Sequence, residues 1–103
     1  MLTKLVTARH LVYWAASLAD SGRNEYFFAA SLAKAYATEA AEWNAIKAIS
    51  VHGGVGVMTD SHIERMLRDA EITKVYEGSN EIQRLIIIRQ LLKQTLGFDV
   101  MGM

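Results

Sequence analysis

The residues best suited to chemistry lie in Tyr76-Glu77-Gly78-Ser79-Asn80-Glu81, where a carboxylate beside a glycine interrupts two stretches of helical character. An acidic side chain at such a break can face a cavity. The N–H groups that open the following helix have no intrahelical partner, which suits them to an oxyanion or a phosphate. Glu77 is therefore a candidate acid–base group, with an exposed loop carboxylate as the plainer alternative. A second segment, HGGVGVMTD at residues 52–60, brings Gly53, Gly54 and Gly56 close together. Glycine takes backbone angles that other residues resist and leaves space for a close ligand. The segment lacks the Lys and Ser or Thr of a P-loop and follows a helix, whereas a dinucleotide fingerprint follows a strand. A helix terminator is the simpler reading. The chain has no cysteine and only three histidines, so it offers no thiolate nucleophile, no disulfide framework and no metal cluster.

The elements that must position these residues are helical. Proline is absent, and Ala, Leu, Glu, Lys and Gln are abundant, which removes the strongest helix breaker. With 103 residues, 51% of them hydrophobic, the chain has room for one compact unit. Eleven basic residues balance eleven acidic ones, so no net field draws the chain to nucleic acid or to an anionic membrane. No apolar run approaches the ~20 residues of a membrane span, and the N-terminal stretch does not read as a signal peptide. These features fit a soluble, intracellular protein.

In the first helix Leu5, Ala8, Val12, Ala15 and Ala19 recur at helical spacing and predict the buried stripe, with a stop near Ser21-Gly22. Asn24 is placed to cap a long second helix from about Glu25 to His52. Its charges are sparse (Lys34, Glu39, Glu42, Lys47), its apolar residues surround it, and Ala29, Ala30, Ala33, Ala37, Ala40 and Ala41 allow close neighbours. Residues 52–60 read as a loop. Ser61 with Glu64 predicts a capping box for a short third helix that carries Ile63, Leu67 and Ala70 on one side. Asn80 with Gln83 predicts a reciprocal cap for a fourth helix, which ends before Gly97. The run Leu85-Ile86-Ile87-Ile88 points in several directions, so it implies a second contact surface. The tail FDVMGM shows no pattern and reads as frayed. The expected architecture is all-α, an antiparallel up-and-down helical bundle.

The strings HGGVG, RDAEI and YEGSNEIQR, in this order and separation, resemble the C-terminal helical domain of the flavin-dependent acyl-CoA dehydrogenases. The likeness extends upstream through SLAKAYATEAAEWNAIKAIS and covers nearly the whole of residues 1–103. It implies conversion of an acyl-CoA thioester to its trans-2-enoyl form: a glutamate removes the α proton while the β carbon gives a hydride to FAD. In short- and medium-chain members that base is the Glu of YEG, here Glu77. An α proton is a very weak acid, so such a base must be desolvated and the thioester oxygen stabilised. By the same resemblance, Gly78 lets the substrate pass close to the backbone. Ser79 and Glu81 lie beside the flavin, and Ser50, Gly53 and Gly54 contact the FAD of a neighbouring subunit.

Ser50 stands where the family usually has a glutamine, and Ser79 where it usually has a threonine. The resemblance makes Arg68-Asp69 a structural ion pair or cap; His52 reads as a loop-packing residue, and Arg84 as either paired with an acidic neighbour or solvated. It also implies that the chain is truncated, lacking the N-terminal helical domain, the middle β domain and the first helix of the C-terminal domain. The implied partners are an acyl-CoA substrate and either copies of the chain, as a dimer or tetramer, or the missing domains of the same enzyme. The location the resemblance implies is the cytoplasm or the mitochondrial matrix. A non-catalytic helical association module derived from the family is the alternative.

Overall fold

The computed structural model describes residues 1–97, and the tail FDVMGM lies outside the described residues. Four α-helices follow in order: α1 (Leu2–Asp20), α2 (Tyr26–His52), α3 (Ile63–Thr73) and α4 (Asn80–Leu96). Among the described residues there is no strand. The all-helical expectation holds.

Local chemistry sets most of the boundaries. α1 stops where Gly22 adopts φ 69°, with Arg23 N–H bonded to Leu18 O and Gly22 N–H to Ala19 O, the paired bonds of a Schellman motif. The predicted stop at Ser21-Gly22 is the observed one. Asn24, in contrast, gives no side-chain cap to α2; Glu25 occupies the cap position, and only the backbone carbonyl of Asn24 takes part, accepting from Phe27. Residues 52–60 are more ordered than a plain loop, since Gly53–Val57 and Thr59–Ser61 each form a 3₁₀ turn. The capping box expected for α3 does not form. His62 takes the cap position at φ 62°, Ser61 Oγ accepts from Ile63 N–H instead, and Glu64 is drawn away to Arg68. Ile63, Leu67 and Ala70 do share the packed side of α3.

α2 is the hub. α1, α3 and α4 each pack on it, and among the described residues none of those three packs on another. The core joins Ala15 to Ala29 and Ala33, flanked by Leu11 and Leu18, so methyl groups rather than large side chains set the separation of α1 and α2. Ala40 and Ala45 are buried further along, as is Ala35, whereas Ala30 and Ala41 are exposed.

The stripe predicted for α1 is displaced. The observed inward positions are Lys4, Ala8, Leu11, Ala15 and Leu18, while Leu5, Val12 and Ala19 are exposed. The two stripes share Ala8 and Ala15. α1 is apolar around most of its circumference, with Val6, Tyr13 and Trp14 also outward, so spacing alone does not separate them. Lys4 takes an inward place because its ammonium sits 5.0 Å from the Trp43 ring centroid and 6.0 Å from that of Tyr36.

The result is elongated, 53 × 26 × 18 Å, with a radius of gyration of 16.6 Å where about 13 Å is usual for this length. The chain exposes 6919 Å², against roughly 5,800 Å² for a compact monomer of its mass. Many large apolar side chains are exposed. Ile82, Leu85, Ile88 and Leu91 on α4 are all about half exposed, which agrees with a second contact surface there. No helix among the described residues is long and apolar enough to cross a membrane.

Candidate functional site

The turn between α3 and α4 is built by polar side chains from both of its neighbours. Ser79 caps α4, its Oγ accepting from Ile82 N–H at 3.4 Å. The expected cap of Asn80 with Gln83 is thus replaced by one a residue earlier, and both side chains are released for other work. Asn80 is 3% exposed. Its Oδ1 accepts from Lys34 Nζ at 2.8 Å, and its Nδ2 donates to Thr38 Oγ1 at 3.0 Å. Gln83, also buried, turns its Nε2 back to donate to the carbonyls of Glu77 at 3.1 Å and Gly78 at 3.4 Å. Lys34 Nζ donates to the Gly78 carbonyl as well, at 2.9 Å.

These bonds hold an unusual backbone. Glu77 has φ 55° and Gly78 φ 81°, two successive left-handed residues. For glycine this costs little, but for Glu77 it costs roughly 1–2 kcal/mol that the surrounding bonds must offset. Glu77 itself is exposed, and among the described residues no hydrogen bond or ion pair holds its carboxylate. The backbone is fixed while the acidic group stays available.

Two ion pairs anchor the same region to α2. Lys74, at the end of α3, pairs with Glu42 and lies 3.2 Å from Glu71, and Asn80 N–H closes the loop on the Lys74 carbonyl at 3.0 Å. Hydrogen bonding from Glu71, and then from Lys74, holds the Glu42 carboxyl below its ordinary value, and the bond to Glu42 raises Lys74. Arg84 pairs with Glu39, the first of the two readings left open for it, and this raises Arg84 in turn. Lys34, Thr38 and Glu42 recur every fourth residue and so form one polar stripe of α2 beneath the turn.

The other predicted residues fall into two groups. Ser79 and Glu81 flank the turn, Glu81 exposed in the first turn of α4. Ser50, Gly53 and Gly54 lie at the far end of α2, roughly 28 Å of helix axis from Lys34 at about 1.5 Å per residue. One chain does not bring the two groups together. Ser50 is exposed with its Oγ on Ile46 O, and Gly53 ends α2 at φ 65°. No atom stands within 4 Å of where a side chain would project from Gly53 or Gly54, so this exposed backbone can be approached by a phosphate-bearing group.

Several expectations need correction. Arg68 and Asp69 do not pair with each other; Arg68 binds Glu64 and Asp69 lies 3.6 Å from Arg65, each across one turn of α3. His52 is exposed rather than packed, its Nδ1 2.8 Å from Ala48 O. Sequence reading also missed Lys34, Asn80 and Gln83 as the frame of the turn, and Gly56 as the closely packed glycine. The available signal was the polar spacing of residues 34, 38 and 42 in an alanine-rich helix.

Comparison with known proteins bears on the family and the fold. The family model described as "Acyl-CoA dehydrogenase, C-terminal domain" matches residues 1–92. An acyl-CoA dehydrogenase of Bacillus subtilis (strain 168) is 50% identical over 95 residues, 92% of this chain and 25% of that protein. A cyclohexane-1-carbonyl-CoA dehydrogenase of Geobacter metallireducens is 47% identical over 92 residues, 89% of this chain and 24% of its own length. The solved structure of butyryl-CoA dehydrogenase from Megasphaera elsdenii superposes with a TM-score of 0.85 at 35% identity, covering 89% of this chain and 24% of that one. The chain therefore spans about a quarter of the length of the relatives it matches. On this match of sequence and fold, the chain belongs to the acyl-CoA dehydrogenase family, through that family's C-terminal domain.

Proposed function

We propose that this chain supplies the base-bearing part of a flavin-dependent acyl-CoA dehydrogenase, in which Glu77 takes the α proton of an acyl-CoA thioester. The observation that carries this reading is the left-handed Glu77, fixed through its backbone just before α4 while its carboxylate has no partner among the described residues. A base must reach the proton it removes, and a rigid turn with a free carboxylate meets that need better than a mobile loop. Proton transfer to Glu77 breaks the Cα–H bond, and its electron pair becomes the Cα=Cβ bond as hydride leaves Cβ. FAD, when bound, supplies the two-electron acceptor for that hydride.

Gly78 contributes by lacking a side chain on the substrate's path. Ser79 and Glu81, beside the turn, would hold the flavin of the same site. Ser50 and the open backbone at Gly53 and Gly54, roughly 28 Å of helix away, would meet the flavin of a neighbouring subunit. That separation supports a homo-oligomer in which each chain serves two sites.

The test is Glu77→Gln in the assembled enzyme that contains this chain. Turnover is expected to fall at least ~100-fold, with FAD content and acyl-CoA binding retained. Turnover equal to that of the parent overturns the assignment.

A further inference from the structure

We infer that Lys34 is a positioning residue for this site: from α2 it fixes the backbone on which Glu77 stands. The inference rests on the reading of Glu77 as the base, and it assigns a function to a residue 43 positions earlier in the chain, to which the sequence reading gave no role in the site. One ammonium bridges two acceptors, the Gly78 carbonyl at 2.9 Å and Asn80 Oδ1 at 2.8 Å. Asn80 is thereby held in a single orientation, because its Nδ2 is committed to Thr38 Oγ1 at 3.0 Å. A lysine ammonium has three donors and no acceptor, and both atoms it bonds here are acceptors.

Alternatives for this lysine fail on the geometry. Glu39 and Glu42, the acidic residues nearest to it along α2, are taken by Arg84 and Lys74. Lys34 is half-buried beneath the turn rather than extended into water. Its charge is spent on a backbone carbonyl and an amide oxygen, an arrangement that orders a loop. Without it, the left-handed conformation of Glu77 would rest on Gln83 alone among the side chains. A displacement near 1 Å of a reacting group costs on the order of 100-fold in rate, so the clamp acts on turnover more than on substrate affinity.

The experiment compares Lys34→Met, Lys34→Arg and the parent in the flavin-loaded enzyme containing this chain. Steady-state kinetics are joined to amide hydrogen exchange over residues 74–82. For Lys34→Met the expected result is a kcat lower by about 10- to 100-fold, with KM for acyl-CoA and flavin content within about threefold of the parent. Exchange should accelerate at residues 76–80 and stay unchanged in the middle of α2. Lys34→Arg, which keeps donors and charge, should recover part of kcat. Should Lys34→Met fail to assemble, Lys34→Gln replaces it, with a kcat loss of at least about fivefold expected, since the shorter amide cannot reach both acceptors.

A kcat within twofold of the parent overturns the positioning role, whatever exchange does. Exchange that rises equally through α2 and α4 overturns it as well, because Lys34 would then serve the fold at large. Failure of the underlying reading is separate: it is parent-level turnover in Glu77→Gln, measured without touching Lys34.

Discussion

Lys34 Nζ lies 2.9 Å from the carbonyl oxygen of Gly78, 44 positions later in the chain. With Gln83 Nε2 on the carbonyls of both Glu77 and Gly78, two successive peptide groups are held with their oxygens toward the α2 and α4 side chains. A trans peptide directs its N–H opposite to its C=O, so the N–H groups of Gly78 and Ser79 face away from the clamp. The turn thus separates its polar atoms: its carbonyl oxygens are consumed within the fold, and its N–H groups face away from them.

Gly78→Ala tests that backbone directly. At φ 81° a Cβ is sterically opposed, and it would stand 2.7 Å from Gln83 Nε2. The side chain of Gln83 must then shift, loosening its hold on Glu77. A loss of stability of about 1–2 kcal/mol is expected in denaturant unfolding, together with reduced turnover. A variant with the stability and turnover of the parent would show that neither the left-handed backbone nor the Gln83 contact matters.

The glycines of residues 53–56 separate by substitution. A Cβ at Gly56 would meet Ile49 O at 2.6 Å and Ile49 Cα at 2.9 Å, both backbone atoms that cannot step aside. Gly56→Ala is expected to destabilise by about 1–3 kcal/mol. Gly54 has open space around it, so Gly54→Ala should leave unfolding within about 0.5 kcal/mol of the parent. If Gly54 meets a cofactor, that variant should weaken flavin retention while the fold stays intact. Equal stability losses at the two positions would contradict the geometry.

Fold class, helix number and most helix ends were legible in the sequence, because proline is absent and Gly22 and Gly97 mark stops by their left-handed angles. Glu77 stood out in the sequence as a carboxylate at a glycine-flanked break between helices, and only the resemblance of YEGSNEIQR to a known family made it the expected base. Its supporting frame was not legible, since Lys34 and Asn80 meet only once α4 has docked on α2, and no local rule pairs residues 46 positions apart. Caps were misplaced by one residue for a related reason. Asn80 and Ser79 are both good capping types, and the tertiary demand for a buried amide at residue 80 decided between them. In α1 the inward stripe was missed because a cation–π contact to Trp43 favoured Lys4 over Leu5.

The Glu42–Lys74 pair should give stability a readable pH dependence. Glu42, ordinarily near 4.5, is lowered in the folded chain, so its contribution is present above 4.5 and is lost as pH falls through the folded value. Lys74, ordinarily near 10.5, is raised, so its contribution is present below 10.5 and is lost as pH rises through its folded value. Glu42→Gln should therefore lower the unfolding midpoint relative to the parent at pH 7. The gap should close in acid below the folded value of Glu42. A gap of the same size at both pH values would mean that the side chain acts through packing rather than charge.

The apolar side of α4 separates association from folding. In the run Leu85–Ile88 the structure leaves Ile86 and Ile87 half-buried, while Leu85 and Ile88 are each 48% exposed. A lysine at residue 88 can therefore reach water in the single chain, and helical content should match the parent. In an assembly that covers this face the same ammonium would be buried without a partner, at a cost of about 3–5 kcal/mol. Association of Ile88→Lys should then weaken by at least ~100-fold in sedimentation or size-exclusion measurements over a concentration series. Ile87→Lys serves as the contrast, since a charge at that half-buried position should lower the stability of the chain itself. Parent-level association of Ile88→Lys would move the contact to another apolar surface, such as the outward face of α1 with Val6, Tyr13 and Trp14.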